Sequence, residues 1–328
     1  MDPFTHAVLG ATIARAGFHH RLGWRSMAVG AVVAMSPDLD IVAGWLGGTF
    51  AEWAHHRGVT HSVFVAALAG PLIGRALASR SPSSRRDWMW LCFLALASHG
   101  LLDMMTSYGT QLLAPLSRHR FAIDALAVID LGFTSILSLS LISRRAALAG
   151  LGLAWVYALG GWALNGQAET LAARGLDASG TRTVAVDAWP TLLQPLWRRV
   201  VARLPDGQIL IGFHSALDER PIEWRPMRPA DGPPVAVVAA TPEAALFEWF
   251  ANGRVFWRMA PDGDGTLVVE ATDYRYGLPG ESGTGFWGIR ARLDPAGRLI
   301  AGPEPFQVAR AAPQATIAML WNGMLGRR

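Results

Sequence analysis

The chain has 328 residues, of which 51% are hydrophobic and 16% are charged, and its formal net charge is +4. Globular soluble domains carry about 25% charged residues, so this chain is short of charge without being disordered. A single cysteine, Cys92, excludes a domain held together by internal disulfides.

The two halves of the chain differ in composition. Residues 1–165 contain 12 arginines and 8 acidic residues, whereas residues 166–328 contain 17 of each. Eight of the nine histidines also lie in the first half. We therefore predict an apolar, histidine-rich domain over 1–165, followed by a more ordinary globular domain over 166–328.

Several apolar runs in the first half are long enough to cross a bilayer, which takes about 20 residues. The strong candidates are 88–107, 121–142 and 146–164, and the last has no charged residue. That uncharged run argues against the alternative, a large soluble helical protein. Runs at 26–48 and 62–79 are weaker candidates, and 4–17 is too short to span alone. The pattern predicts an α-helical membrane bundle of about four to six helices.

The arginines of the short loops suggest an orientation for this bundle. Arg80, Arg85 and Arg86 separate two predicted spans, and Arg144 with Arg145 separates the next two. Because such loops face the cytoplasm, we expect the C-terminal domain to lie on the periplasmic or outer side. The N-terminus has no basic region followed by an apolar core and a cleavage site, so no signal peptide is expected.

The second half has the short alternating runs and turns of an antiparallel sheet protein. Turns at 205–207 and 261–265 each join two runs with the composition of strands. The predicted strands are 182–188, 197–204, 208–214, 254–259, 266–273, 286–293 and 298–301, with a helix at 242–251. This pattern predicts a mainly antiparallel α+β domain.

Ionisable residues inside membrane segments are costly to bury, so their positions indicate function. His99 and Asp103 are four residues apart, which places them on one face of a helix. With the predicted topology, several segments deliver His and Asp side chains to the same outer level of the membrane, as a polynuclear metal site requires. The candidate ligands are His6, Asp38, Asp40, His56, His61, His99 and Asp103. Such mixed ligands suit Zn²⁺ first, with Mn²⁺ or Fe²⁺ as alternatives.

Other residues near these ligands have candidate roles. Arg57 lies beside two candidate ligands and has the chemistry to hold a phosphate or carboxylate. Asp124 opens one predicted span and Asp130 lies deeper in it, where a carboxylate can orient a histidine ligand. The sequence has no P-loop, nucleophile elbow or His-Glu-x-x-His motif. It also has no basic tract with interleaved aromatic residues, so we expect no nucleic-acid partner.

At these motifs the sequence resembles the YdjM-like family of inner-membrane proteins, which are regarded as metal-dependent hydrolases. The residues that carry the resemblance are Met1-Asp-Pro-Phe-Thr-His6 with Gly10, Pro37-Asp-Leu-Asp40, His56-Arg-Gly-Val-Thr-His61-Ser62, Ser98-His99-x-x-Leu-Asp103-x-x-Thr-Ser-Tyr-Gly109 and Asp130. In the second half, Trp197-Arg198 and Asp273-Tyr-Arg-Tyr-Gly277 resemble the extension of longer members. The resemblance implies a multi-pass protein of the bacterial inner membrane.

The family is distantly similar to the zinc phospholipase C and S1/P1 nuclease group, in which a His-x-x-x-Asp helix binds two or three zinc ions. The resemblance therefore implies hydrolysis of a phosphoester. Our leading hypothesis adds a membrane lipid or lipid-linked molecule as the substrate. Asp38 or Asp40 would act as general base if it is not a ligand, and Arg57 would stabilise developing negative charge. Two alternatives remain at this stage: an ion or proton relay or transporter, and a non-catalytic membrane-anchored binding protein.

Overall fold

The computed structural model describes residues 1–78, 84–279, 285–307 and 313–327. Arg80, which the orientation argument uses, lies outside these residues. The chain forms two compact units. The first comprises Met1–Leu46, His55–Ala163 and Leu192–Pro195, and the second comprises Gly47–Ala54, Leu164–Thr191 and Leu196–Arg328.

The first unit is built from helices. Its α-helices are α1 (Pro3–Gly17), α2 (His19–Leu22), α3 (Arg25–Met35), α4 (Val42–His55), α5 (Val63–Leu77), α6 (Arg85–Met104), α7 (Leu131–Ser140) and α8 (Arg144–Ala178). Two 3₁₀ helices, Ser36–Ile41 and Val59–His61, interrupt this series. Helices α4 and α8 contribute residues to both units.

Local sequence signals set where two of these helices begin. The carboxylate of Asp2 accepts a hydrogen bond from the backbone N–H of Thr5 at the start of α1, 3.0 Å away. The hydroxyl of Ser62 caps α5 in the same way through the N–H of Val65. Each cap satisfies a backbone donor that the helix itself leaves unpaired. His6 follows Asp2 by four residues and His61 directly precedes Ser62, so both histidines lie close to a capped helix start.

Glycines allow the helices around the site to approach closely. A Cβ added to Gly10 of α1 would lie 2.1 Å from the carbonyl oxygen of Gly30 in α3, and one added to Gly30 would lie 2.5 Å from the carbonyl oxygen of Gly10. Gly70 and Gly74 of α5 have equally close contacts with the backbone of α6. Small residues at such crossings are typical of helix packing in membranes.

Two stretches of described helix are long and apolar enough to cross a membrane, Arg25–His55 and Arg144–Ala178. The second contains the uncharged run 146–164 and has exposed apolar side chains, including Trp155 and Trp162. The first is not a single helix, because the 3₁₀ segment with Asp38 interrupts it. The predicted number of four to six membrane helices stays a prediction.

The predicted helical span 121–142 is wrong. Residues 121–130 are irregular, and the helix in this region is α7, of ten residues. The N–H groups of Ile123 and Ala125 donate to the carbonyl groups of Met104 and Met105, at 2.9 Å in each case. The side chains of Ala125, Leu126 and Ala127 in the middle of this stretch are buried in the protein. Burial inside the protein therefore explains an apolar run that the sequence presented as a span.

The second unit contains two four-stranded antiparallel sheets, with strand orders β1-β2-β3-β4 and β5-β6-β7-β8. The strands are β1 (Ala185–Pro190), β2 (Trp197–Arg203), β3 (Ile209–Ser215), β4 (Arg225–Met227), β5 (Val255–Pro261), β6 (Leu267–Asp273), β7 (Trp287–Leu293) and β8 (Leu299–Gln307). Helices α9 (Pro233–Ala239), α10 (Pro242–Phe250) and α11 (Pro313–Met324) complete the unit.

The hairpins predicted at 205–207 and 261–265 are confirmed. Arg203 pairs with Ile209 across the first turn, and Pro261 pairs with Leu267 across the second. The C-terminal part of α8 packs Ala168 against Val200 of the first sheet. Strand β4 and helices α9 and α11 were not predicted, because each is short or lies among prolines and glycines. The mainly antiparallel α+β architecture is confirmed.

Candidate metal centre

Four of the predicted ligands meet in the first unit. Asp38, His61, His99 and Asp103 each offer one ligand atom, and these atoms all lie within 4.8 Å of one another. Asp38 comes from the 3₁₀ helix Ser36–Ile41 and His61 from the 3₁₀ helix before α5, while His99 and Asp103 lie on α6. We call these four residues the metal cluster. His61, His99 and Asp103 are buried, and 15% of the Asp38 side chain is exposed.

The distances within the metal cluster suit a single bound cation. Asp38 Oδ1 lies 3.5 Å from His61 Nε2 and 3.4 Å from His99 Nε2. Asp103 Oδ2 lies 3.3 Å and 3.5 Å from the same two nitrogens, which are 2.9 Å apart. A tetrahedral zinc ion with bonds of about 2.0–2.1 Å holds its ligand atoms about 3.4 Å apart. Of the two Asp38 oxygens, Oδ2 is buried without a hydrogen-bond partner among the described residues.

Neighbouring groups fix the direction of both imidazole rings. His99 Nδ1 donates to the carbonyl oxygen of Ala34, 2.5 Å away. Because a carbonyl can only accept, the proton is on Nδ1 and the lone pair of Nε2 points into the metal cluster. His61 Nδ1 lies 3.3 Å from Asp40 Oδ2. A carboxylate beside the second ring nitrogen is a usual partner of a metal-binding histidine. Both rings therefore have the orientation that a metal ligand needs.

The carboxylates around His61 make the metal cluster a favourable place for positive charge. Burial acts to lower the pKa of His61, but hydrogen bonds to Asp103, Asp38 and Asp40 outweigh burial and raise this pKa to about 10. The same negative charge favours a divalent cation between the imidazoles. The charge and the donor types therefore agree on cation binding.

Asp40 and His56, two further predicted ligands, lie on the Nδ1 side of His61. His56 Nδ1 is 2.6 Å from Asp40 Oδ1, and the hydroxyl of Thr60 donates to Asp40 Oδ2 at 2.6 Å. The backbone N–H of Arg57 also donates to Asp40 Oδ2, at 3.2 Å. The contacts of Asp40 with His61 give it an orienting position beside the metal cluster.

His6, the seventh predicted ligand, contacts the metal cluster from α1. Its ring stacks on that of His99, with centroids 3.6 Å apart and an angle of 18° between planes. His6 Nε2 lies 3.1 Å from Asp103 Oδ1, and the amino group of Met1 contacts the same oxygen. His6 is completely buried. Asp103 is thus shared between the metal cluster and the start of α1.

Arg57 is held in place by the residues around Asp103. Its Nε lies 3.1 Å from Asp103 Oδ2, and its Nη1 donates to the Thr106 hydroxyl at 2.8 Å. The guanidinium also lies 4.5 Å from the ring centroid of Tyr108, and 3% of the residue is exposed. The guanidinium of Arg120 also lies beside Tyr108, 5.1 Å from the centroid of its ring.

Sequence reasoning missed Thr106, Tyr108 and Arg120 as neighbours of the site. The run Thr106-Ser-Tyr-Gly109 directly follows the His-x-x-x-Asp pair, so its position after Asp103 was an available signal for the first two. Arg120 had no such signal, because the pairing of Thr110 with Phe121 brings it back to Tyr108. Its Nη2 donates to the carbonyl of Gly109 at 3.0 Å.

Asp124 and Asp130 lie outside the metal cluster. Asp130 is completely buried and caps α7, where it accepts a hydrogen bond from the N–H of Phe133 at 3.0 Å. It also accepts one from the hydroxyl of Tyr157 at 2.8 Å. Asp124 is a non-glycine residue in the left-handed region, with φ of 59°. These contacts of Asp130 are with α7 and α8, and none of them reaches a histidine.

Comparisons with known proteins agree with the membrane character of the chain. The inner membrane protein YbcI of Escherichia coli (strain K12) is 35% identical over 102 residues, which cover 30% of this chain and 57% of that protein. The match therefore spans just over half the length of this curated relative. No solved structure matches the chain significantly. The model of the YdjM inner membrane protein family matches residues 1–169, which include every residue of the metal cluster. The chain therefore belongs to the YdjM inner membrane protein family.

Proposed function

We propose that this protein is a membrane-bound, metal-dependent hydrolase that cleaves a phosphoester. The observation that carries the proposal is the metal cluster, in which two oriented imidazoles and two carboxylates converge at the spacing of metal ligands. We propose zinc as the metal, in two or three ions, with manganese or iron as alternatives. The metal cluster would hold one ion, and His6, Asp40 and His56 lie close enough to extend the site.

When bound, the metal would lower the pKa of a coordinated water toward about 7 and polarise the phosphoryl oxygen. Asp38, the most exposed residue of the metal cluster, would act as general base if it is not a ligand, since its Oδ2 has no hydrogen-bond partner among the described residues. Asp40 would hold His61 in its ligand orientation. Arg57 would hold Asp103 through their ion pair and contribute positive charge near the phosphoryl group.

An apolar groove on the same helices supports a lipid or lipid-linked substrate. The groove has a volume of about 230 Å³ and is lined by α1, α6, α7 and α8. Leu102 of α6 and Met105, which directly follows α6, line it, and Asp103 lies between them in the chain. An acyl or prenyl chain in this groove would bring its phosphate to the α6 side of the site.

Hydrolysis by reconstituted protein tests the proposal. The full chain, stripped of metal and reloaded with Zn²⁺, would be assayed against bis-p-nitrophenyl phosphate, phosphatidic acid and a polyprenyl monophosphate. We expect metal-dependent release of phosphate or p-nitrophenol, which the double variant His99→Ala/Asp103→Ala loses. The matched control is His20→Ala, because His20 is an exposed histidine of the same unit.

The rival functions predict different results in the same preparation. An ion relay would move protons or metal ions across vesicles without any hydrolysis. A non-catalytic binding protein would do neither. Folded, metal-loaded protein that hydrolyses none of these substrates, while transporting its metal across vesicles, would replace the hydrolase proposal with the relay.

A further inference from the structure

The second unit contains a cavity that the proposed hydrolase does not use. Its volume is about 570 Å³, within the usual range for sites that bind small molecules. Its walls are the strands β2 and β3, the segment 218–225, residues 278–279 and the C-terminal helix α11. All of these parts belong to one compact unit, so the cavity is a property of that unit alone.

A buried arginine faces this cavity. Arg199 of β2 is 2% exposed and lines the wall. Its Nε donates to the carbonyl oxygen of Tyr274 at 2.9 Å, and its guanidinium lies 5.5 Å from the ring centroid of Phe213. These contacts fix the side chain in one direction, so its charge is preorganised. A guanidinium in such surroundings is suited to a carboxylate, sulfonate or phosphate group.

Gly277 makes the close packing around this arginine possible. Its φ is +136°, and a Cβ at this position would lie 3.0 Å from Arg199 Nη1. A side chain there would push the guanidinium out of its place. Arg199, which directly follows Trp197-Arg198, therefore contacts the stretch 273–277 at Tyr274 and Gly277.

The rest of the lining includes three aromatic rings and carries more positive than negative charge. Trp197, Phe213 and Trp224 contribute ring surface. Arg225 and Arg327 add two cations to Arg199, and Asp218 and Glu223 are the acidic residues of the lining. Asp218 already has a two-point contact with Arg220, at 2.8 Å for each oxygen. The electrostatic balance therefore favours an anion, and the rings favour a flat apolar body.

We propose that this cavity binds an organic anion with a flat or apolar body. Arg199 pairs with the anionic group, and Trp197, Phe213 and Trp224 contact the body of the ligand. The anion is either a free small molecule or the headgroup region of an anionic lipid, since both present the same chemistry to Arg199. The site is independent of the metal cluster and does not require hydrolysis.

Equilibrium dialysis with the full chain in nanodiscs tests this proposal. The probes are 1-naphthalenesulfonate and its neutral counterpart 1-naphthalenemethanol, and empty nanodiscs correct for partition into lipid. We expect saturable binding of the sulfonate at least about tenfold tighter than that of the alcohol. Arg199→Met should remove this preference, whereas Arg258→Met, at an exposed arginine of the same unit outside the lining, should change it by less than about threefold.

Two further arms keep the proposal falsifiable. If Arg199→Met does not fold, Trp224→Ala replaces it and should weaken both probes about equally, because it removes ring contact and leaves the charge. Nanodiscs of phosphatidylcholine with and without phosphatidylglycerol separate the two sources, since a lipid ligand would compete with the sulfonate. Equal binding of sulfonate and alcohol, or no saturable binding of the sulfonate up to about 1 mM, would overturn the proposal.

Discussion

The contact between α1 and α3 has a direct consequence for the metal cluster, which the substitution Gly10→Ala tests. The added methyl group would lie 2.1 Å from the carbonyl oxygen of Gly30 and 2.5 Å from Cβ of Ala34. Neither neighbour is the end of a flexible side chain. Helix α3 would have to move away by about 1 Å to restore van der Waals distance.

The expected change in the free energy of unfolding is the difference between two opposing effects. Replacing glycine by alanine inside a helix stabilises it by about 1 kcal/mol, whereas overpacking a close contact costs about 1–3 kcal/mol. We expect a net loss of up to about 2 kcal/mol in the free energy of unfolding. The displacement also moves Ala34, whose carbonyl oxygen accepts the hydrogen bond of His99 Nδ1. Metal content should therefore fall together with stability.

Gly17→Ala is the matched control, because Gly17 ends the same helix and an added Cβ meets nothing within 4 Å. Thermal unfolding in detergent and elemental analysis would compare both variants with the unaltered protein. A loss of 1 kcal/mol corresponds to roughly 2–4 °C in the unfolding midpoint for a unit of this size. If Gly10→Ala keeps the midpoint and the metal content of Gly17→Ala, the close helix contact does not support the metal cluster.

Three further predictions follow from single contacts. Asp40→Asn should weaken metal affinity about 10- to 100-fold, as measured by competition with a chelator, because it removes the negative charge 3.3 Å from His61 Nδ1; unchanged affinity would refute the orienting role. Tyr157→Phe should lower the free energy of unfolding by about 1–3 kcal/mol, because buried Asp130 loses a hydrogen bond, while metal content stays the same; a loss of metal would contradict the separation of Asp130 from the site. Gly277→Ala should destabilise the second unit by about 1–3 kcal/mol because of its positive φ, whereas Gly263→Ala, in open space, should not; equal unfolding midpoints would argue against strain.

Local patterns in the sequence were enough for much of the architecture. The pair His99 and Asp103 has the four-residue spacing of one helical face, and both side chains enter the metal cluster. The turn sequences at 205–207 and 261–265 gave the two hairpins, because strand pairing across a short turn is a local event. The cap residues Asp2 and Ser62 likewise act within three residues of their own position.

Features that depend on distant contacts were not predictable. Residues 121–130 have the composition of a span, but their backbone N–H groups donate to carbonyl groups at the end of α6 and just after it. This long-range pairing places the middle of the stretch inside the protein. The sequence could not separate Asp38 from Asp40, because the 3₁₀ geometry of Ser36–Ile41 sends one to the metal cluster and the other to the far side of His61. His56 and His61 also differ in local geometry, because only His61 lies in the 3₁₀ helix Val59–His61. Arg120 reaches Tyr108 through the long-range pairing of Thr110 with Phe121.

Elemental analysis of the purified full chain tests the central claim, that the metal cluster binds a divalent cation. The measurement would compare the unaltered protein, His99→Ala/Asp103→Ala and His20→Ala after the same exposure to Zn²⁺ and removal of excess metal. We predict at least one zinc ion per chain in the unaltered protein and in His20→Ala, and its loss in the double variant. Absence of stoichiometric metal from the folded, unaltered protein, or equal metal content in all three proteins, would contradict the account.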